Sequence, residues 1–277
     1  MTLHHLQRGG VRLAYDLRGS GPLVALVQGL GLPGRMWLEL PEGLAGRGFS
    51  VVTPDARGTG DSDAPAPPYR IHALADDLAA VIRATGRGPA LVVAVSMGGM
   101  VSQHLALRHP GLVSGLLLGA TTCGLPHGRP PSTRFAVKVL HSLVDRQRAL
   151  PDIRRLMLAP GRFDADPSFF DEWDRAQRGM VMPWQGVVGH LTAAARHSSG
   201  LSLPRIGCPT MVLAGEGDQI LPAENARIIA RRVPGAELSI LPGAGHAFPL
   251  EQPEVIPRAI ERISRRIDNT RRNRTAP

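Results

Sequence analysis

Residues 91–100 read LVVAVSMGGM, and they are the most informative stretch of the chain. The apolar run 91–95 predicts a short buried strand. Ser96 follows directly, two glycines come next, and apolar residues then recur at helical spacing over 97–108. A serine between a strand and a helix, flanked by small residues, is typical of a nucleophile elbow, in which a sharp turn holds the hydroxyl clear of the sheet. The first small position is Ala94 where glycine is usual, and alanine is also small.

A serine hydroxyl needs a base to remove its proton and a third group to orient that base. Downstream, residues 209–222 read PTMVLAGEGDQILP and place Asp218 in the loop after a predicted strand. Residues 236–254 read AELSILPGAGHAFPLEQPE and place His246 in a glycine-rich loop after the last predicted strand. Serine, acid and histidine in this order match the order of the catalytic residues in proteins that have a nucleophile elbow. We therefore predict Ser96 as nucleophile, Asp218 as acid and His246 as base.

The acid has two other candidates in the same region of the chain. Some enzymes with this elbow carry their acid after the sixth strand, but residues 119–122 read GATT and contain no carboxylate. Asp218 is therefore preferred, and Glu216 and Glu224 remain weaker alternatives.

The ordered set of motifs resembles one family. QGLGLPGRMW, DARGTGDSD, AVSMGGM, GEGDQILP and GAGHAFPLEQPE occur in that order. Together they resemble the α/β-hydrolase-fold serine hydrolases, in the group of small esterases, enol-lactone hydrolases and cofactor-free haloperoxidases. The resemblance covers about residues 10–265 and implies an α/β fold with a mostly parallel eight-stranded sheet flanked by helices. We interpret DARGTGDSD, residues 55–63, as a structural brace beside the site.

The resemblance also implies an oxyanion hole. Its donors would be the backbone N–H groups of Leu30 and Met97, since such preorganised donors stabilise the negative charge of an acyl-transfer intermediate. The chain departs from the family pattern here, because Gln28 precedes Gly29 where histidine is usual.

The strand pattern stops after Thr122 and resumes near Pro209, and the segment between them holds helical stretches broken by prolines. By resemblance this segment is a helical cap inserted between strands 6 and 7. We expect an α/β-hydrolase core at 1–122 and 204–265, a cap at 123–203, and a basic, disordered tail at 266–277.

A cap that closes over the nucleophile excludes water and contributes to the substrate pocket. The candidate pocket residues are Gln28, Phe170, Trp173 and Trp184. The polar side chains in or beside the cap are interpreted as surface or core groups, namely His127, Arg129, His190 and His197.

Composition limits the remaining classes. The 277 residues contain no run of about 20 apolar residues, and the first ten have no secretory pattern. The two cysteines, Cys123 and Cys208, do not form a disulfide framework, so a cytoplasmic location is the easier inference. Neither cysteine lies in a CxxC motif and no histidine pair has ligand spacing, so we predict no metal or other cofactor.

The formal net charge is +9, and more than half of the excess lies in residues 258–277. Such terminal runs are usually solvated. No zinc-finger, helix-turn-helix or aromatic RNA-binding pattern is present, so we expect no nucleic-acid or membrane partner. The oligomeric state stays open.

The sequence thus predicts an enzyme of the carboxylesterase or lactonase type. It would cleave a small to medium, largely apolar ester or lactone through a Ser96 acyl-enzyme. Two alternatives remain: a lyase, cyclase or haloperoxidase-like enzyme of the same fold, and a non-catalytic ligand-binding protein. Both stay open because fold does not fix the reaction.

Overall fold

The computed structural model describes residues 3–142, 145–178 and 183–275. Its strands are β1 (Leu3–Arg8), β2 (Val11–Arg18), β3 (Leu23–Val27), β4 (Ser50–Pro54), β5 (Ala90–Val95), β6 (Val113–Gly119), β7 (Thr210–Gly215) and β8 (Glu237–Leu241). Its helices are α1 (Leu40–Gly46), α2 (Ile71–Ala84), α3 (Met97–Arg108), α4 (Thr133–Ser142), α5 (Arg146–Met157), α6 (Arg162–Ala165), α7 (Asp171–Gln177), α8 (Trp184–Ala195), α9 (Glu224–Arg232), α10 (Phe248–Glu251) and α11 (Val255–Thr275).

The strands form one eight-stranded sheet in the order β1-β2-β4-β3-β5-β6-β7-β8. The hairpin β1–β2 and the pair β2–β4 are antiparallel, and the other neighbouring strands are parallel. This confirms the predicted fold class. Because β3, β5, β6, β7 and β8 run in the same direction, the loops that follow them meet at one edge of the sheet.

Helices cover both faces of the sheet, as a parallel sheet requires. The side chains of β5 show this, because Val92 and Ala94 join the core beneath α2, α3 and α9. Leu91, Val93 and Val95 point the other way and join the core beneath α1 and α11. The period of two in a strand thus fills two cores from one continuous apolar run.

The segment between β6 and β7 is called the helical insertion (residues 123–203). Its described part contains α4 to α8, a 3₁₀ helix at Pro167–Phe170 and an isolated β-bridge between Gly124 and Ser198. Its position agrees with the predicted break in the strand pattern.

The prediction of a disordered tail from residue 266 was wrong for residues 266–275, because α11 continues to Thr275. The charge pattern concealed an apolar stripe: Ile260, Ile263 and Ile267 are buried at helical spacing beneath the arginines. A Cβ atom at Gly115 of β6 would lie 2.8 Å from Ile267 Cδ1, so Ile267 packs closely on the sheet at this glycine. Residues 276 and 277 lie outside the described part of the chain.

Within the residues described, no helix is both long enough and apolar enough to cross a membrane.

Candidate functional site

The turn between β5 and α3 has the backbone geometry of the predicted elbow. Ser96 has φ 54° and ψ −123°, a region that non-glycine residues rarely adopt and that costs about 1–3 kcal/mol. Two hydrogen bonds hold it there: its N–H donates to the Gly119 carbonyl at 2.9 Å, and its carbonyl accepts from Thr121 Oγ1 at 2.7 Å. The side chain is half-buried.

The small residues of the motif are required by close backbone packing. A Cβ atom at Gly98 would lie 2.5 Å from the carbonyl oxygens of Val27 and Gln28. A Cβ atom at Gly99 would lie 2.7 Å from the Thr121 side chain. The Gly98 contact brings the first turn of α3 against the end of β3, so that the loop after β3 lies beside Ser96. The Gly99 contact brings the same turn against the segment that follows β6.

The structure brings the three predicted polar side chains together in one hydrogen-bonded chain. His246 Nε2 lies 3.0 Å from Ser96 Oγ, and His246 Nδ1 lies 2.8 Å from Asp218 Oδ2. A carboxylate accepts only, so Nδ1–H donates to Asp218 and Nε2 is left to accept from the Ser96 hydroxyl. This tautomer is the one that a general base needs.

The carboxylate of Asp218 is fixed by its own loop. Its side chain has no exposed surface, and Oδ1 accepts from the N–H groups of Ile220 at 2.8 Å and Leu221 at 2.9 Å. The alternative acids lie elsewhere. Glu216 is exposed, and Glu224 pairs with arginines on the surface of α9.

Two backbone donors flank Ser96. Among the described residues, the N–H groups of Leu30 and Met97 have no hydrogen-bond partner. Met97 is the first residue of α3, where the helix dipole favours negative charge. Gly29 lies against Ser96, since a Cβ atom at position 29 would be 3.2 Å from the Ser96 Cβ. The arrangement suits a developing oxyanion beside Ser96 Oγ.

A histidine from the helical insertion contacts the loop that carries Leu30. The N–H of Gly31 donates to His190 Nδ1 at 3.0 Å, and His190 Nε2–H donates to the Arg57 carbonyl at 2.8 Å. His190 has no exposed surface. Burial lowers its pKa to about 4, so the ring is neutral at pH 7 and one tautomer satisfies both hydrogen bonds.

The loop of residues 55–63 lies between α8, the helix that carries His190, and the loop after β3. Asp55 accepts from the N–H groups of Gly34 at 2.7 Å and Asp61 at 2.8 Å, while burial raises its pKa. A Cβ atom on Gly186 of α8 would lie 2.0 Å from the Gly58 carbonyl oxygen, so helix and loop meet backbone to backbone. These contacts are those of a structural brace.

The loop that carries His246 is also hydrogen-bonded to the helical insertion. Glu251 Oε2 accepts from the Gly245 N–H at 2.6 Å, and Oε1 accepts from the Ala159 N–H at 2.8 Å. The Ala247 N–H donates to the Met157 carbonyl at 2.7 Å. The segment after α5 and the loop of His246 therefore form one hydrogen-bonded unit.

The candidate pocket residues fall into different environments. Phe170 and Trp173 are buried in a cluster with Met36, Leu158 and Ala247, the neighbour of His246. Trp184, at the start of α8, is 65% exposed, and Gln28 is half-buried with its side-chain oxygen 3.3 Å from the Gly29 N–H. A role of these four residues in substrate binding remains a prediction.

Sequence reasoning missed His190 and Glu251. His190 was interpreted as a surface or core side chain, and Glu251 was one residue of the last motif. One signal was present for His190: Gly186 and Gly189 precede it at helical spacing and allow a close approach. Within the part of the chain that the structure describes, no group of three or more His, Cys, Asp or Glu could hold a metal ion.

Comparison with known proteins gives one family match and several similar proteins. Residues 22–253 match the family model described as alpha/beta hydrolase fold. The chain is 32% identical over 249 residues to a pimeloyl-(acyl-carrier protein) methyl ester esterase of Chromobacterium violaceum, covering 86% of this chain and 92% of the relative.

Solved structures show the same likeness over nearly the whole chain. A thermophilic esterase from Thermogutta terrifontis is 28% identical with a TM-score of 0.80, covering 96% of this chain and 99% of that one. An enol-lactonase from Burkholderia xenovorans LB400 has a TM-score of 0.81 at 21% identity, with 94% and 99% covered. At that identity, the likeness to the enol-lactonase concerns the fold alone.

Proposed function

The chain belongs to the α/β-hydrolase family, and on that premise we propose that it is a serine hydrolase that cleaves a small to medium, largely apolar carboxylic ester or lactone. The observation that carries the proposal is the hydrogen-bonded chain from Asp218 Oδ2 to His246 at 2.8 Å and from His246 to Ser96 Oγ at 3.0 Å. A nucleophile, a base and an orienting acid within hydrogen-bond reach are what acyl transfer requires.

In the first half of the reaction, Ser96 Oγ attacks the carbonyl carbon while His246 Nε2 takes the hydroxyl proton. The carbonyl oxygen becomes an oxyanion, which the N–H groups of Leu30 and Met97 stabilise by roughly 3–4 kcal/mol per donor. Asp218 stabilises the imidazolium without taking its proton. When the C–O bond breaks, His246 returns the proton to the leaving alkoxide and an acyl-Ser96 ester remains.

In the second half, water attacks the acyl-Ser96 ester and His246 takes one water proton. The tetrahedral intermediate collapses, the proton passes to Ser96 Oγ, and the carboxylic acid leaves. For a lactone, the leaving hydroxyl stays attached to the acid, so the product is one hydroxy acid.

The preference for an apolar substrate rests on the helical insertion. Its buried cluster includes Phe170, Trp173 and Ala247, the neighbour of His246, and it packs against Leu32 at the end of the loop after β3. The cluster therefore brings apolar side chains to the loop of His246 and to the end of the loop after β3. Esterase activity in two relatives that are 28% and 32% identical supports the same reaction class.

The deciding experiment is a turnover panel of p-nitrophenyl esters with two to ten acyl carbons and of aliphatic lactones, run on pure protein. Brief exposure to an ester, acid quench and peptide mass analysis should find one acyl group on Ser96. Ser96→Ala should abolish the adduct and lower kcat by on the order of 10⁴-fold or more.

Ser114→Ala is the matched control, because Ser114 lies at the opposite end of the sheet on β6. It should leave both readouts unchanged. An acyl group on another residue, or turnover that survives Ser96→Ala, contradicts the proposal.

A further inference from the structure

We propose that His190 is a positioning residue for catalysis: from the helical insertion, it holds the oxyanion loop in the conformation that aims the Leu30 N–H at the substrate. The inference rests on the proposed function for its kinetic consequence. Its structural content, that His190 orders residues 29–32, can be measured without any substrate.

The oxyanion loop (residues 28–32) needs an external support. Leu30 lies between Gly29 and Gly31, and Gly31 has φ +72°, in the left-handed region that glycine enters freely. Two flanking glycines leave the peptide planes on either side of Leu30 free to rotate. Within the loop, the described backbone hydrogen bond runs from the Leu32 N–H to the Gly29 carbonyl, and it is long at 3.3 Å.

His190 supplies that support from a distant part of the chain. Its Nδ1 accepts from the Gly31 N–H at 3.0 Å, which fixes the peptide plane next to Leu30. The remaining nitrogen is also used, since Nε2–H donates to the Arg57 carbonyl at 2.8 Å. With both nitrogens bound, the ring has one orientation and one neutral tautomer.

The partner of Nε2 is itself fixed. The Arg57 guanidinium donates to both oxygens of the buried Asp77, at 2.6 and 2.8 Å. The loop around Arg57 meets α8 through the Gly58–Gly186 contact, which no larger residue could enter. His190 therefore joins the oxyanion loop to a rigid support, and it does so with no exposed surface through which water could replace it.

Two substitutions separate the two hydrogen bonds. The amide oxygen of asparagine lies near the position of a histidine Nδ1, so His190→Asn keeps an acceptor for Gly31 and loses the donor to Arg57. The amide nitrogen of glutamine lies near the position of Nε2, so His190→Gln keeps that donor and loses the acceptor. Thr192→Val is the matched control on the same helix, because it removes an acceptor for the Tyr69 N–H and leaves the oxyanion loop untouched.

We expect His190→Gln to lower kcat per titrated active site by about 10- to 100-fold, less than the 10²–10³-fold of losing an oxyanion donor outright. KM should stay within about threefold. Affinity for a trifluoromethyl ketone, whose serine adduct carries an oxyanion, should fall by the same factor as kcat/KM. His190→Asn should recover kcat to within a few fold of the unmodified protein, and Thr192→Val should leave it unchanged.

Amide hydrogen exchange at Leu32 is the readout that needs no activity, because the Leu32 N–H bonds within the loop and not to His190. It should be faster in His190→Gln than in His190→Asn or Thr192→Val. Equal exchange in the three variants, or kcat losses that only follow the loss of stability, overturns the inference. If the unmodified protein hydrolyses no ester, the proposed function fails by itself, and the exchange comparison alone then decides the role of His190.

Discussion

Replacement of Asp218 by asparagine tests whether the histidine tautomer controls activity. In the structure, Asp218 Oδ1 accepts two backbone N–H bonds and Oδ2 faces His246 Nδ1. In Asp218→Asn, an amide oxygen at the Oδ1 position keeps both backbone bonds and turns the NH₂ group toward His246. Nδ1 must then accept, so the proton moves to Nε2 and His246 can no longer take the Ser96 proton.

The size of the effect follows from the alternative orientation. Rotating the amide to offer its oxygen to His246 leaves the two buried N–H groups without an acceptor, at about 1–3 kcal/mol each. The total of about 2–6 kcal/mol disfavours the active orientation by about 30- to 20,000-fold, at about 1.4 kcal/mol per tenfold. We therefore expect kcat to fall by about 10² to 10⁴-fold, with KM little changed.

The assay is initial-rate hydrolysis of a short-chain p-nitrophenyl ester, with protein concentration corrected by circular dichroism and active-site titration. Glu216→Gln is the matched control, because it removes a carboxylate two residues away that is exposed. It should retain full activity. If Asp218→Asn keeps more than a tenth of the activity, or if Glu216→Gln causes the larger loss, the tautomer argument is refuted.

Three further perturbations have defined outcomes. Gly98→Ala should lower stability, and it should lower kcat more than tenfold, because the added Cβ would lie 2.5 Å from two carbonyl oxygens beneath the oxyanion loop. Thermal unfolding and kcat measurements test this. Glu251→Gln should lower the free energy of unfolding by about 1–3 kcal/mol, because one of two backbone N–H groups loses its acceptor; urea unfolding measures this. Acidification should also destabilise the fold: burial and neighbouring histidines lower the pKa of His104 to about 3, and burial lowers that of His197 to about 4. In the unfolded chain both histidines have their ordinary pKa of 6.5 and bind protons below it, whereas in the folded chain they stay neutral. Their contribution to the free energy of unfolding is therefore fully present above pH 6.5. It falls toward pH 4 by up to about 1.4 kcal/mol per pH unit for each histidine.

Each of these expectations has a control. Gly46→Ala, at a helical position with open space around the added methyl group, should cost nothing. Gln252→Ala removes an exposed hydrogen bond next to Glu251 and should change stability by less than about 0.5 kcal/mol. His104→Gln should reduce the pH slope of the unfolding free energy by up to one proton. A slope that does not change, or a Gly98→Ala protein with normal kcat, would contradict the packing on which these predictions rest.

The parts of the site that sequence reasoning found are those with a local cause. Ser96, Asp218 and His246 each follow a predicted strand, with the clearest apolar runs before Ser96 and Asp218, and parallel strands bring such loops to one edge. The structure adds the geometry of the hydrogen-bonded chain, which spacing alone does not specify. Ser96 also required small residues after it, and these are visible in the sequence as two consecutive glycines.

The parts that sequence reasoning did not find depend on packing between distant segments. His190 contacts the oxyanion loop because glycines let α8 approach residues 55–63. Gly186 and Gly189 are visible in the sequence, but the distant segment that they approach is not. The end of α11 was misjudged for a related reason. Its arginines dominate the composition, whereas Ile260, Ile263 and Ile267 form a buried apolar stripe that packs the helix on the sheet.

The order of the strands along the chain has a consequence for synthesis. The proposed nucleophile, Ser96, follows β5. The proposed acid and base, Asp218 and His246, follow β7 and β8, the last two strands and the outermost on that side of the sheet. A nascent chain that has emerged only as far as α8 carries Ser96 without a proton acceptor. Under the proposed function, ester turnover would then begin only after the final edge strand has joined the sheet, so turnover measured during translation would report completed folding.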